Sequence, residues 1–309
     1  MKKFGIAIHG GAGIISKTKM NKRKEEAYKK ALKKAYGVGY TILKKGGSAI
    51  QAVKETIMVL EDCPLFNAGK GSVYTNQGDI EMDAAIMEGK KLKAGAVAGV
   101  SFVKNPIDLA TTVMKESKHV LISGDKALEY AKEHGLKIED KSYFEEEDRF
   151  KQYQNALVKD KVLLDHDVQE NNKYGTVGAV ALDKKGNLAS GTSTGGMVNK
   201  KYGRIGDSPL IGIGTYANNK TCAISCTGHG EFFIRAVVAH EISSRVLYKG
   251  EPLEAAANHV IMNTLKAMGG RGGLIGIDKE GNIVMPFNTK GMYRGYKTSN
   301  GQEFVGIFK

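Results

Sequence analysis

The sequence predicts an α+β fold in which two stacked β-sheets are covered by helices. Short apolar segments bounded by glycine and asparagine turns indicate strands, and longer charged segments with apolar residues three or four positions apart indicate helices. These segments occur as blocks of strands and pairs of helices, without the strand–helix–strand rhythm of a doubly wound parallel sheet. The chain has 309 residues, which is enough to bury a large hydrophobic core.

The first half of the chain begins with a strand and two helices. The apolar segment 4–9 predicts the strand, which runs directly into the glycine-rich residues 10–13. Alanine and leucine residues at helical spacing predict a helix over 22–45. A second helix begins after Ser48, whose hydroxyl is a suitable N-cap, and runs to about Leu60. The further elements predicted before residue 137 are a hairpin turn at 76–79, a strand within 94–103, and helices near 109–115 and 126–134.

Residues 137–175 differ from the chain on either side. They are dense in charge, with an acidic run at 145–148, and they contain no glycine before Gly175. A polar segment of this kind, followed by strongly β-forming sequence, is typical of a linker. The sequence therefore predicts a mobile linker over about 137–175.

The second half is rich in predicted strands. Segments 176–182 and 188–193 flank the turn Asp183-Lys184-Lys185-Gly186-Asn187. A turn of similar composition at 278–282 separates two more apolar runs. Helices are predicted between these strand pairs, over about 231–248 and 254–267.

The formal charge of +13 raises nucleic acid or acidic lipid as a partner. The excess is spread over both halves of the chain, and only 7 of the 46 basic residues are arginine, the better phosphate ligand. We therefore predict a solvated lysine surface and no nucleic-acid partner. A basic protein that never processes itself and binds nucleic acid stays as the alternative from another functional class.

The lack of recognisable targeting signals and the small number of cysteines predict a cytoplasmic protein. No apolar run reaches the ~18 residues of a membrane span, and the N-terminal residues lack the pattern of a secretory signal. Cys63, Cys222 and Cys226 are too few for a disulfide framework and lack zinc-binding spacing. We expect reduced thiols and no membrane partner.

One motif suggests a serine hydrolase, but its context is wrong. Residues 191–195 match the G-x-S-x-G nucleophile elbow, which must pass directly into a helix. Here Gly196 and a segment with poor helical character follow. We therefore reject this interpretation.

Glycine and threonine are concentrated in three segments of the second half. Residues 175–178, 192–196 and 227–230 each place a hydroxyl beside glycines, which permit close backbone approach. Arg204 and Asp207 lie between these segments in a loop stiffened by glycine and proline. A guanidinium suits a carboxylate and a carboxylate suits an ammonium group, so this pair suits the head of an α-amino acid.

Ordered motifs over almost the whole chain resemble the plant-type asparaginase and isoaspartyl peptidase family of N-terminal-nucleophile hydrolases. The motifs are HGGAG at 9–13, FNAGKGS at 66–72, MDA at 82–84, GTVG at 175–178, TSTGG at 192–196, GRIGDSP at 203–209 and TGHGE at 227–231. Within the α+β class, the resemblance implies the four-layer αββα sandwich of these hydrolases.

By this resemblance, the chain is made as an inactive precursor that cuts its own Gly175–Thr176 bond. Residues 1–175 then form an α subunit, and residues 176–309 form a β subunit that begins with the nucleophile. The two subunits together make one domain. The resemblance also implies a homodimer of αβ units.

The position of the cut has a physical reason. An internal threonine hydroxyl has no strong base beside it and is a weak nucleophile. Cleavage frees the α-amino group of Thr176, and the pKa of such a group, roughly 8, lies near working pH. The neutral amine can then take the proton of the Thr176 hydroxyl.

The resemblance also assigns catalytic roles. Thr176 forms the acyl-enzyme, and Thr194 hydrogen-bonds near its amine and hydroxyl. The Thr227 hydroxyl and the Gly228 N–H form the oxyanion hole.

A second group of residues is assigned to substrate binding. Arg204 clamps the α-carboxylate of the substrate, while Asp207 and the Gly230 carbonyl receive its α-ammonium group. Asn67 supports the nucleophile, and the loop that begins at His9 adjusts during self-cleavage.

The loop after the second helix resembles the family's sodium-binding loop, whose ligands are main-chain carbonyls. Sodium there is structural and keeps Asn67 in place, and no cofactor is expected for catalysis. The implied ligands are Leu60, Glu61, Cys63, Phe66, Ala68 and Lys70.

The resemblance and the amino-acid head site together predict a self-processing amidohydrolase with small-molecule substrates. It releases L-aspartate from L-asparagine and from isoaspartyl (β-aspartyl) dipeptides. The head site leaves the group beyond the β-carbonyl unspecified, which favours the dipeptides. Glycosylasparaginase is the alternative within the same fold, and the lack of a secretory signal and of disulfide cysteines counts against it.

Overall fold

The computed structural model describes residues 2–158 and 175–309. Those two ranges contain mixed α and β structure, and the strands form a large and a small sheet. The strands are β1 (Gly5–Gly13), β2 (Met82–Glu88), β3 (Ala94–Val100), β4 (Leu121–Ser123), β5 (Val177–Leu182), β6 (Leu188–Thr194), β7 (Thr215–Ala217), β8 (Cys222–Gly228), β9 (Gly272–Asp278), β10 (Ile283–Val284), β11 (Gly291–Thr298) and β12 (Glu303–Phe308).

The helices are α1 (Lys22–Lys44), α2 (Ala49–Glu61), α3 (Pro106–Glu116), α4 (Gly124–Glu133), α5 (Lys141–Phe144), α6 (Glu147–Val158), α7 (Gly230–Ala236), α8 (Val238–Lys249) and α9 (Leu253–Asn258). A π-helical turn, His259–Leu265, continues α9, and short 3₁₀ turns lie at Lys17–Lys19 and Gly69–Gly71. None of the helices in the described ranges combines the length and the apolar character needed to cross a membrane.

The large sheet has the strand order β12-β11-β1-β5-β6-β2-β3-β4, and the small sheet has the order β10-β9-β8-β7. Neighbouring strands are antiparallel except β3 and β4, which are parallel. A largely antiparallel arrangement excludes the doubly wound parallel sheet. The prediction of an α+β fold is confirmed.

Buried apolar side chains explain how the sheets and helices pack. One cluster, which includes Ile8 and Leu32, lies between the large sheet and the helices α1 to α3. A second cluster, which includes Ile224, lies between the small sheet and α8, α9 and the π-helical turn. A third joins facing strands of the two sheets and includes Val180 of β5 and Ile277 of β9. Because β5 is covered on both faces, its sequence is continuously apolar.

The first two predicted helices are confirmed, and their caps agree with the sequence. α1 begins after Asn21, whose side chain accepts a hydrogen bond from the Lys24 N–H. α2 begins after Ser48, whose hydroxyl accepts one from the Gln51 N–H. Each cap satisfies an N–H group that a helix start leaves without a partner.

The predicted helix over 231–248 is two helices. The chain turns at Val237, which has a left-handed φ of 48°. The first N–H groups of α8 bond to the loop before β7, from Ala239 to the Ile213 carbonyl and from His240 to the Gly212 carbonyl. These bonds to a distant loop explain the break, and helical periodicity does not reveal them.

Two other predicted elements differ in detail. The helix over 254–267 contains the π-helical turn instead of regular α-helix. Residues 76–79 do form a turn, in which the Thr75 N–H bonds to the Asp79 carbonyl. The turn does not join two strands of a hairpin, because Thr75 instead bridges to Lys200, far along the chain.

The segment predicted as a linker is partly folded. Its described part includes α5 and α6, and Tyr153 and Ala156 of α6 pack against Val73 and Val198. The Tyr153 hydroxyl also donates to the Asn76 carbonyl over 3.0 Å. The predicted linker therefore includes the folded helices α5 and α6, because apolar side chains among the charges find buried partners. The rest of the predicted linker, 159–174, lies outside the described residues.

Candidate active site

Thr176 lies just before β5, beside Thr194 at the end of β6. The antiparallel register places Val177 opposite Ser193, which brings the two threonines together. The Thr176 hydroxyl donates a hydrogen bond to the Thr194 hydroxyl over 3.1 Å, and both side chains are buried. The Thr194 hydroxyl also accepts from the Gly196 N–H at 3.0 Å. The hydroxyl of the predicted nucleophile is therefore oriented by the sheet.

Gly175 has a backbone conformation that favours glycine. Its φ is 58°, in the left-handed region where a side chain is strained. A glycine also leaves its own carbonyl open to attack from the neighbouring hydroxyl. Both reasons favour glycine on the N-terminal side of the predicted cut.

His9 binds the main chain at Thr176. The ring is fully buried, with Nδ1 3.0 Å from the Thr176 carbonyl oxygen and Nε2 2.9 Å from Ser225 Oγ. Burial lowers the pKa of His9 to about 3, against the opposing effect of the hydrogen bond to Thr176, so the ring is neutral. Because a carbonyl only accepts, Nδ1 carries the proton and the Ser225 hydroxyl donates to Nε2.

A chain of buried hydroxyls continues from Ser225 between the sheets. Ser225 Oγ lies 2.7 Å from Thr192 Oγ1, and the Thr215 hydroxyl donates to Thr192 over 2.7 Å. Thr215 Oγ1 also lies 3.1 Å from the Ser208 carbonyl. Because Ser225 donates its one proton to His9, Thr192 donates to Ser225, and the single proton of Thr215 is shared between Thr192 Oγ1 and the Ser208 carbonyl. The chain ends at the loop that carries the predicted ammonium ligand.

Arg204 is held by Glu231, a partner that the sequence analysis missed. Nε and Nη2 of Arg204 donate to the two carboxylate oxygens of Glu231 at 2.8 and 2.9 Å. Burial alone would raise the pKa of Glu231, but the hydrogen bonds and charge of Arg204 lower it overall. One edge of the guanidinium is therefore occupied, and the predicted substrate carboxylate would have to bind the edge that includes Nη1.

Asp207 is a buried carboxyl with an incomplete set of partners. Burial raises its pKa to about 7, against the opposing charge of Arg204. Its Oδ2 atom has no hydrogen-bond partner among the described residues. A Cβ at Gly230 would lie 2.8 Å from both Asp207 Oδ1 and Arg204 Nη2, so glycine keeps this position open. An ammonium group at Oδ2 would supply the missing donor and favour the ionised carboxylate.

Thr227 and Gly228 end strand β8. The Thr227 side chain is fully buried, and its hydroxyl has no hydrogen-bond partner within residues 2–158 and 175–309. A buried polar group without a partner costs about 1–3 kcal/mol of stability. Such a group is typical of a functional site, where a ligand supplies the partner.

One cavity brings most of the predicted site residues together, from both sides of the predicted cut. Thr227 precedes the lining residue Gly228 in β8, and Gly230 lies against the lining residue Asp207. The predicted residues that line the cavity are Asn67, Gly175, Thr176, Thr194, Arg204, Asp207 and Gly228. It is also lined by Gly196, Met197, Gly206 and Ser208, to which the sequence analysis gave no role.

Comparison with known proteins decides the family. A family model described as asparaginase matches residues 1–307. The chain belongs to this family. The resemblance found in the motifs is thereby confirmed.

Relatives of this asparaginase-family chain come from distant organisms. It is 47% identical to an isoaspartyl peptidase of Escherichia coli (strain K12), over 100% of this chain and 97% of the relative. It is 40% identical to a probable isoaspartyl peptidase/L-asparaginase 2 of Arabidopsis thaliana, over 100% of both chains. It is 42% identical to an isoaspartyl peptidase/L-asparaginase of Homo sapiens, over 93% of this chain and 91% of the relative.

Asn67 connects the parts of the asparaginase-family site that precede and follow the predicted cut. Its Oδ1 accepts from the Val73 N–H at 3.0 Å, and its Nδ2 donates to the Gly196 carbonyl at 2.8 Å. Its own carbonyl accepts from the Gly195 N–H at 3.1 Å. Asn67 therefore fixes the cavity wall next to Thr194.

The loop predicted to bind sodium has main-chain oxygens close to two glycines. A Cβ at Gly69 would lie 2.5 Å from the Glu61 carbonyl oxygen, and a Cβ at Gly71 would lie 2.1 Å from that of Phe66. Main-chain oxygens are ligands of the kind that hard cations take. The ligand set stays a prediction: Leu60, Glu61, Cys63, Phe66, Ala68 and Lys70.

Proposed function

We propose that this chain is a self-processing amidohydrolase that releases L-aspartate from isoaspartyl dipeptides and from L-asparagine. One observation carries the proposal: the hydroxyls of Thr176 and Thr194 lie 3.1 Å apart in a cavity that Arg204 and Asp207 also line. The names of the bacterial, plant and human relatives support this substrate class.

Self-cleavage begins at the Gly175 carbonyl. The Thr176 hydroxyl oxygen bonds to the carbonyl carbon, the C–N bond between the two residues breaks, and the nitrogen receives the hydroxyl proton. Water then hydrolyses the ester, which leaves a carboxylate on Gly175 and a free amine and hydroxyl on Thr176. The His9 Nδ1–H holds the Thr176 carbonyl, so the nucleophile keeps its place when the bond before it is cut.

The free amine then acts as the general base. It takes the hydroxyl proton as Thr176 attacks the β-carbonyl of the substrate, and the leaving amine receives that proton. Water hydrolyses the acyl-enzyme to aspartate and restores the hydroxyl. Thr194, which accepts the hydrogen bond from Thr176, keeps the nucleophile aimed at the carbonyl.

Negative charge develops on the substrate carbonyl oxygen during the attack. The Thr227 hydroxyl, which has no hydrogen-bond partner among the described residues, supplies one donor. The Gly228 N–H supplies the other. A single donor of this kind typically contributes about 3 kcal/mol to transition-state stabilisation.

The head of the substrate is bound by opposite charges. Its α-carboxylate meets the edge of Arg204 that Glu231 leaves unoccupied, and its α-ammonium group meets Asp207 and the Gly230 carbonyl. None of these contacts involves the group beyond the β-carbonyl. Asparagine and isoaspartyl dipeptides share this aspartyl head, which is why the proposal includes both.

The proposal extends to the assembly of the molecule. The helices α1 to α3, the two sheets, and α8 with α9 form the four-layer αββα sandwich. Residues 1–175 and 176–309 are the two subunits of one domain, and two such units form a homodimer in the cytoplasm. Main-chain carbonyls of the loop at 60–71 would hold a structural sodium ion, whose positive charge would fix the loop and so keep Asn67 in place.

Steady-state kinetics on the processed protein test the proposal. We expect aspartate release from a β-aspartyl dipeptide and from asparagine, with the higher kcat/KM for the dipeptide. The matched α-aspartyl dipeptide is the control, because its α-carboxylate is consumed in the peptide bond and cannot bind Arg204. The proposal fails if neither substrate releases aspartate.

A further inference from the structure

Gly228 is in close backbone contact with a glycine on the neighbouring strand. It pairs with Gly272 of β9. A Cβ on Gly228 would lie 2.6 Å from Gly272 Cα, and a Cβ on Gly272 would lie 2.4 Å from the Thr227 carbonyl oxygen. The two glycines have φ values of 152° and 156°, which L side chains rarely adopt. Neither position therefore accepts another residue unless the strand ends move apart.

The pairing pattern fixes the direction of the Gly228 N–H. The next residue, His229, donates its N–H to the Arg271 carbonyl at 2.9 Å. In an antiparallel ladder this bond marks the Gly228–Gly272 pair as a non-hydrogen-bonded pair, whose own N–H groups point away from each other. The Gly228 N–H therefore points away from β9.

On that side, Gly228 lies beyond the end of the neighbouring strand. Two residues earlier, the Cys226 N–H points the same way and donates to the Gly214 carbonyl at 2.9 Å. The pairing of β7 with β8 ends at Ser225, so β7 does not extend alongside Gly228. Gly228 lines the cavity that contains Thr176. Its N–H therefore faces the side on which the substrate carbonyl binds.

Asn288 holds Gly272 from the opposite side of the strand. Its Oδ1 accepts from the Gly272 N–H at 2.9 Å. Its Nδ2 donates to the Gly270 carbonyl at 3.0 Å and to the Ile261 carbonyl, in the π-helical turn, at 3.2 Å. The orientation of the amide is set by its neighbours, because one is a donor and two are acceptors. Asn288 thus links Gly272 to Gly270 and to the π-helical turn.

We propose that Asn288 is a positioning residue for the oxyanion hole. Through Gly272, with which Gly228 is in backbone contact, it sets the place of the Gly228 N–H. The inference rests on the proposed function, in which that N–H stabilises the developing oxyanion. A donor aimed at a transition state loses much of its effect when it shifts by about 1 Å.

The variant Asn288→Asp tests the proposal, with Asn282→Asp as the matched control. Asn288→Asp keeps the size of the side chain and the acceptor for Gly272 but turns a carboxylate oxygen towards two carbonyls. Asn282 lies beyond the other end of β9, where its Nδ2 donates to Asp278 Oδ2 at 2.7 Å, so Asn282→Asp makes the same chemical change away from the cavity. Rates are divided by the amount of cut chain on a denaturing gel, because in the proposed function only the cut chain has the catalytic amine.

We expect Asn288→Asp to lower kcat about ten- to a hundredfold while KM for a β-aspartyl dipeptide stays within twofold. The control is expected to keep both constants within twofold of those of the wild type. If Asn288→Asp does not fold, Asn288→Ala replaces it with the same expected result.

Three results would overturn the inference. They are an unchanged kcat in the Asn288 variant, an equal loss in the control, and a fall in kcat with an equal rise in KM, which indicates general loosening of the site. A wild-type protein that releases no aspartate contradicts the proposed function instead. The two failures are therefore distinguishable.

Discussion

The two sides of the cavity differ in how completely their polar atoms are paired. On the nucleophile side, Thr176, His9 and Ser225 are joined by continuous hydrogen bonds. On the side predicted to bind substrate, Asp207 Oδ2 and Thr227 Oγ1, the latter next to the lining residue Gly228, are buried without a hydrogen-bond partner in the described part of the chain. The first arrangement fixes geometry before substrate arrives. In the proposed function, the second keeps acceptor and donor atoms for the substrate at a cost in stability. Removing a polar atom should therefore reduce stability on the first side and activity on the second.

Thr227→Val is expected to have the largest effect. Valine has the same shape but lacks the hydroxyl, so kcat should fall about 10²- to 10³-fold with little change in KM. The free energy of unfolding should not fall, because the lost hydroxyl has no hydrogen-bond partner within the described residues. Kinetics and urea unfolding measure both quantities. Thr227→Ser, which keeps the hydroxyl, should retain most of the activity, and equal losses in the two variants would contradict the comparison.

Asp207→Asn is expected to weaken substrate binding about a hundredfold. The amide cannot offer a full negative charge to the α-ammonium group, and loss of one partner of a buried charge pair costs about 2–5 kcal/mol. The effect should appear in KM more than in kcat. Stability should be unchanged or higher, since a buried carboxyl is replaced by a neutral group. A variant that bound substrate normally but unfolded more easily would show that Asp207 stabilises the fold, as the residues on the nucleophile side do.

The pH dependence of KM sharpens the same comparison. In the free enzyme the pKa of Asp207 is raised to about 7, and the ammonium group of the substrate favours the ionised form. Below pH 7 the carboxyl of Asp207 must lose a proton before it can bind the ammonium group of the substrate. KM should therefore rise about tenfold for each unit of decreasing pH. KM measured from pH 5 to 8 tests this. In Asp207→Asn, the KM should be high and independent of pH over that range, and a flat wild-type profile would contradict the assignment.

Ser225→Ala should mainly affect stability. It leaves the buried Nε2 of His9 without its donor, so the free energy of unfolding should fall by about 1–3 kcal/mol. The kcat should stay within about threefold, because Nδ1 of His9 still holds Thr176. Ser190→Ala is the matched control, since its hydroxyl donates to the Ile224 carbonyl and not to the histidine. A larger loss of stability in the control would contradict the prediction that the hydrogen bond from Ser225 to His9 stabilises the fold more than an ordinary buried hydroxyl does.

Helices and their caps were predictable from the sequence where the signal lies in neighbouring residues. The caps at Asn21 and Ser48 and the helical spacing that follows them are properties of neighbouring residues, although only the Ser48 cap was named in advance. The break at Val237 was missed, because it depends on hydrogen bonds to the distant loop at 212–213. The folded helix α6 was missed for the same reason, since its buried partners lie far away in the sequence.

The site was predictable in its residue types but not in its pairings. Motifs pointed to Arg204 and Asp207 by their chemistry and to Thr176 and Thr194 through the family resemblance, and all four residues line one cavity. They did not show that Glu231 occupies one edge of Arg204, which depends on how the loop folds onto α7. Nor did they show the buried hydroxyl network, because serine and threonine in a strand are equally typical of ordinary β-structure.

The central claim is that the bond before Thr176 is cut to create the catalytic amine, and intact-mass analysis of the purified, active protein tests it most directly. We predict two masses, for residues 1–175 and 176–309, and a single inactive chain near the full 33.4 kDa for Thr176→Ala. Full aspartate-releasing activity from an unbroken wild-type chain would contradict the account.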